Sequence, residues 1–154
     1  MLANFQSYMS PNEFAMKKFE YLDHTADIGI RAYGQDLKDL FENAAEAMLA
    51  VTAELDTIDE MMLMEVSVTA STLPDLMLNW LGELNFQHQV EEIFFCRTEI
   101  REISPNRLRA VVFGEARNEN RHVVLAEIKS VTFHQLQVEQ ASDGVWTAQV
   151  IFDI

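Results

Sequence analysis

The residues best equipped for chemistry gather in one stretch, Asp23-His24-Thr25-Ala26-Asp27-Ile28-Gly29. Asp23 and Asp27 offer oxygen ligands of the kind that hard cations such as calcium or magnesium accept. His24, between them, offers a softer ligand or an acid/base group. The same residue types also cap turns, because short polar side chains hydrogen-bond nearby backbone. A second acidic group stands at the other end, in Val150-Ile151-Phe152-Asp153-Ile154. There an apolar strand pattern runs to the final residue, whose main-chain carboxylate would lie one residue from Asp153. Carboxylates that close favour a shared proton or a shared cation. Should this segment lie beside Asp27, three carboxylates would converge with room for waters, an arrangement suited to a hard cation. Spacing alone does not bring them together; the fold must.

Other titratable residues carry weaker signals. Val123 to Glu139 is rich in β-formers, and strand alternation would put Glu127 and Lys129 on one face, with His134 further along. They would form a surface ion pair worth about 0–1 kcal/mol, or a partner-facing network that orients the carboxylates. Asp23 and His24 fit the same supporting role. The methionines of Met61 to Met64 read as core filler rather than a soft-metal site. Cys96 follows Ile93-Phe94-Phe95 and reads as a buried structural thiol. His88 reads as a surface or half-buried residue, and His122, beside a polar loop, as structural or solvent-exposed.

The elements that must position these groups follow from periodicity. The 154 residues fit one domain, Met16 onward, preceded by an irregular arm over residues 1–15 that lacks the features of a signal peptide. Two short strands, within Phe19 to Tyr33, flank the Asp/His cluster. Asp36 is placed to cap a helix whose stripe is Leu37, Leu40, Phe41, Ala44, Met48 and Val51. Met61 to Ala70 alternates as a strand. Pro74 suits the first turn of a second helix, with Met77, Trp80, Leu81 and Leu84 as its stripe. Gly82 inside it suggests a close packing contact or a bend. Thr98 to Ile103 and Leu108 to Glu115 should form a hairpin around Ser104-Pro105-Asn106-Arg107. Ser142-Asp143-Gly144 turns the chain into a last strand. The order β-β-α-β-α-β-β-β-β predicts an α+β fold: a mostly antiparallel sheet with two helices packed on one face. Phe41, Trp80, Trp146 and Phe152 are core candidates.

Composition narrows the function classes. With 49% hydrophobic and 23% charged residues the chain can bury a sizeable core. Its 25 acidic against 11 basic residues, net -14, argue against a direct grip on nucleic acid, which needs basic stripes. The same balance suits cation binding or docking on a basic partner. One cysteine rules out an intramolecular disulfide and points to a reducing, cytoplasmic setting. No apolar run reaches the roughly 18 residues of a membrane span.

In consistent order from Lys18 to Ile154, the sequence resembles the archease family. The resembling segments are Tyr21 to Gly29, Phe41-Glu42-Asn43-Ala44-Ala45, Leu76 to Leu81, Gly114-Glu115, His122, Glu127 to His134, and Val150 to Ile154. Ser130 and Phe133 depart mildly from the alanine and tyrosine common there. The resemblance implies a compact α+β fold and an accessory role toward RtcB-type RNA ligases, which seal RNA ends in tRNA splicing and repair through a guanylylated histidine. Archeases promote that GTP-dependent activation and repeated turnover without joining RNA themselves. It also implies a bound divalent cation, commonly calcium, with magnesium or manganese as alternatives. Its ligands fall on Asp27, Asp153 and the terminal carboxylate of Ile154. Two other classes compete: a chaperone or modulator of RNA-modifying enzymes such as tRNA methyltransferases, and a metal-dependent hydrolase.

Overall fold

The computed structural model describes residues 17–23 and 27–154. The arm over residues 1–15, His24 and the side chain of Asp23 lie outside the described residues. Along the rest the order is β1 (Phe19–Asp23), β2 (Asp27–Gly34), α1 (Leu37–Thr52), β3 (Met62–Thr69), α2 (Leu73–Glu91), β4 (Ile93–Ser104), β5 (Arg107–Ala116), β6 (Ser130–Gln140) and β7 (Trp146–Asp153). The α+β expectation holds, and the strands divide between two sheets. One has the order β1-β2-β7-β6, the other β3-β5-β4, with antiparallel neighbours throughout.

Local chemistry sets the boundaries. The Asp36 carboxylate accepts the N–H of Asp39 at 2.8 Å, satisfying one of the orphan donors that open α1. The Thr72 hydroxyl does the same for α2 from Asp75, with Pro74 in the first turn. β4 ends at Ser104 and β5 begins at Arg107, so Pro105 and Asn106 make the turn. Both helices then pack against both sheets: α1 against β2 and β4, α2 against β6 and β3. Their apolar stripes meet the alternate residues Ile28, Ile30 and Ala32 of β2 and Ala148, Val150 and Phe152 of β7. Trp80 is fully buried at the centre, and its indole N–H donates to the Phe41 carbonyl at 3.0 Å, so burial leaves no polar atom stranded.

Four sequence expectations change. β6 begins only at Ser130, so Glu127 and Lys129 precede the strand and do not share a strand face. Buried Ile128 stands between them, and its carbonyl accepts the side-chain amides of Asn85 and Gln89 from α2. Those amides supply the partner that a strand ladder would have given, and so the segment stays extended outside a sheet. Met61 and Met62 are 74% and 39% exposed rather than core filler, at the start of β3, whereas Met64, Val66 and Val68 further along it pack against the core. Gly82 makes no close contact: a Cβ there would meet nothing within 4 Å, and α2 runs through it unbroken. Trp146 is half-buried rather than fully in the core.

Candidate metal centre

β7 lies beside β2, and the register places Asp27 directly opposite Asp153. Strand alternation turns Ile28 and Phe152 into the core, so the two aspartates share the outer face of the sheet. The Asp153 carbonyl accepts the Lys129 N–H at 2.7 Å and so points toward β6, away from β2. The Asp27–Asp153 pairing is therefore the closer, non-hydrogen-bonded kind, with Cα atoms about 4.5 Å apart. Like charges directly opposite each other on a sheet destabilise it. Among the described residues no ion pair relieves either carboxylate. The nearest cation on this face by register, Arg31, is already engaged by Gln149 at 2.9 Å and Glu20 at 3.6 Å. Ile154 follows Asp153 at the same end of the sheet. The donor set is all oxygen, which fits calcium, magnesium or manganese and not a thiophilic metal. Among the described residues no three His, Cys, Asp or Glu side chains gather to hold a metal, so further ligands would be backbone or terminal oxygens or waters. Asp27 also borders a cavity of about 480 Å³ lined by Tyr21, Leu22, Ala50, Val51 and Leu125.

The supporting residues scatter. Asp23 pairs with Ile28 at the end of β1, which brings its backbone to the site. Lys129 reaches the site by its backbone, while its side chain borders a different cavity with Gly82, Phe86 and Gln89. Glu127 lines a third cavity with His88 and Glu92. His134 is exposed on an irregular stretch of β6, its N–H donated to the Thr132 hydroxyl at 3.2 Å. The structure thus unites Asp27 with Asp153, and neither Glu127 nor His134 lines the cavity that Asp27 borders.

A separate network centres on buried Glu115 and His122, whose pairing with exposed Arg121 the sequence reading did not describe. Glu115 accepts both Arg121 guanidinium nitrogens, at 2.7 and 3.0 Å, and the Asp59 N–H at 2.5 Å. His122 is buried, and its Nδ1 accepts the Asn118 N–H at 3.0 Å, so the ring proton sits on Nε2. Nε2 lies 3.2 Å from the Glu115 carboxylate at a bent angle and has no better partner. The Arg121 guanidinium first, then the Asp59 N–H, hold the Glu115 carboxyl down to about 2. Its folded value is below its unfolded one, so its stabilisation is present above pH about 4.5 and is lost as pH falls toward 2. Glu115→Gln should lower the thermal midpoint at neutral pH and flatten its fall between about pH 5 and 3. A variant whose midpoint falls as steeply with acid as the parent's would contradict this. Cys96 is half-buried, burial raises its pKa, and its thiol faces the Phe113 carbonyl at 3.6 Å, which suits an unreactive thiol.

Comparison with known proteins decides the family. The family model described as Archease protein family (MTH1598/TM1083) matches residues 19–154. The chain belongs to the archease family. It is 42% identical to Protein archease of Methanosarcina acetivorans, over 90% of this chain and 97% of that one. It is 34% identical to Protein archease of Pyrococcus abyssi, covering all of that protein and 90% of this chain. Among solved archease-like folds, the solution structure of Methanobacterium thermoautotrophicum protein 1598 superposes with a TM-score of 0.77 at 35% identity, covering 90% of this chain and 100% of that one. The crystal structure of an archease, possible chaperone, from Thermotoga maritima gives 0.63 at 22% identity, covering 86% and 94%, and shares the fold. Among the described residues of this archease no helix is long and apolar enough to cross a membrane.

Proposed function

We propose that this chain is a non-catalytic accessory protein of an RtcB-type RNA ligase. It promotes GTP-dependent guanylylation of the ligase and repeated turnover in tRNA splicing or RNA repair. The observation that carries this reading is the facing pair Asp27–Asp153, two carboxylates on one sheet surface with no counter-charge among the described residues. In this reading Asp27, Asp153 and the terminal carboxylate of Ile154 hold a divalent cation, calcium first, with magnesium or manganese as alternatives. The bound ion supplies charge neutralisation and a fixed electropositive point at the edge of an acidic protein. Asp27 and Asp153 orient that point through the rigid β2–β7 ladder, and Lys129 fixes Asp153 through its backbone N–H. Net charge -14 draws the protein toward a basic, nucleotide-binding partner.

The test is guanylylation and RNA joining by an RtcB-type ligase with and without this protein. Added protein should raise both, and Asp27→Ala should not. RNA turnover by this protein alone would favour a hydrolase, and capture of a tRNA methyltransferase without stimulation of the ligase would favour the modulator reading.

A further inference from the structure

The segment between β5 and β6 holds a short extended stretch whose outward backbone meets no partner among the described residues. The Glu54 N–H donates to the Val123 carbonyl at 2.9 Å, and the Leu125 N–H donates to the Thr52 carbonyl at 2.9 Å. These bonds bracket an antiparallel bridge between Ala53 and Val124. In such a bridge the backbone of the central residue points the other way. The N–H and C=O of Val124 therefore turn outward from the end of α1, and neither has a hydrogen-bond partner among the described residues. Val123, Val124 and Leu125 are 42%, 44% and 55% exposed, an apolar strip along that edge.

Acidic groups flank the strip. On one side is the cavity bordered by Asp27. On the other, a cavity of about 260 Å³ runs between Val124, Leu125, His88, Glu92 and Glu127. His88 uses Nδ1–H toward the Ile93 carbonyl at 2.9 Å, which leaves Nε2 as an acceptor. The cation in that wall, Arg117, is 3.2 Å from Glu119 and 5.6 Å from the Phe94 ring centre.

We infer that the Val123–Leu125 edge takes an extended, basic segment of a partner protein, which adds as a strand and places basic side chains against Glu92 and Glu127. Strand addition gives affinity through backbone bonds, while alternate side chains set specificity. The acidic rim excludes a second copy of this acidic chain and favours the opposite charge. The assignment rests on the reading that this protein works by docking on a partner, and it names where a segment of that partner lies.

The test uses a fluorescein-labelled peptide of alternating lysine and valine, with alternating glutamate and valine as control, read by anisotropy. Val124→Pro removes the outward N–H while keeping an apolar side chain, and proline is tolerated at such edge positions. It should weaken the basic peptide about fivefold, the worth of one hydrogen bond. Glu92→Lys combined with Glu127→Lys, both exposed, should weaken it about tenfold or more. Calcium binding should be unchanged in Val124→Pro. With the ligase, Val124→Pro should raise the concentration needed for half-maximal stimulation, whereas Asp27→Ala should abolish stimulation. Equal peptide affinity in Val124→Pro and the parent would overturn the inference. So would self-association through this edge without peptide binding. Absence of ligase stimulation by the parent would sink the function proposed above while leaving the peptide result to decide this surface.

Discussion

Asp27→Ala should lower calcium affinity about 100-fold or more in a calorimetric titration. Disturbing residues that merely orient a metal's ligands costs about 10–100-fold, and Asp27 would supply an oxygen directly. The fold should survive, because Asp27 is half-exposed on the outer face while Ile28 and Ile30 carry the packing. A second signature separates loss of a site from general damage. Without a cation, the Asp27–Asp153 pair sets like charges against each other across the ladder. In chelator, Asp27→Ala should therefore be as stable as the parent or slightly more so. At calcium 100-fold above its dissociation constant the parent should gain about 2.7 kcal/mol, a rise of several degrees in thermal midpoint. The variant should gain almost none. Equal affinity in both proteins would remove the site. A variant unstable in chelator would show that Asp27 serves the fold instead.

Gly114→Ala should cost more than about 3 kcal/mol, a large share of the stability of an ordinary domain. A Cβ there would lie 2.0 Å from the Phe94 carbonyl oxygen and 2.8 Å from the Phe95 Cα. Those atoms belong to the backbone of β4, next to the bulge between Phe95 and Arg97, so no side chain can rotate aside. Any shift also displaces Glu115, the next residue, and the Arg121 and Asp59 donors it holds. Gly82→Ala is the matched control: its Cβ would meet open space inside a helix, and it should stabilise by about 0.5–1 kcal/mol. Urea unfolding of both variants checks the pair; similar effects would show that backbone proximity is not what matters at Gly114.

Much of the fold was legible because local rules and global packing agree. The Asp36 cap, the α1 stripe, Pro74 and the Ser104–Arg107 turn each report short-range chemistry that a linear reading captures. The stretch Val123–Lys129 misled for a physical reason. Its β-forming residues are extended, but their carbonyls and N–H groups are met by the end of α1 and by Asn85 and Gln89, partners remote in sequence. Periodicity does not report such partners. The partition of the strands into two sheets was hidden likewise, since register depends on long-range pairing. For the site, residue type pointed to Asp27 and Asp153, and only the β2–β7 ladder made them neighbours. Gly114-Glu115 and His122 stood among the resembling segments, but nothing in the sequence joined Glu115 to Arg121, six positions on.

The β2–β7 ladder also bears on kinetics. It joins the second strand to the last across nearly the whole domain, a pairing of large loop entropy that should form late. An ion held there finds no site in the collapsing chain. It should leave the refolding rate almost untouched and slow unfolding instead, lengthening the life of the folded molecule without helping it to form.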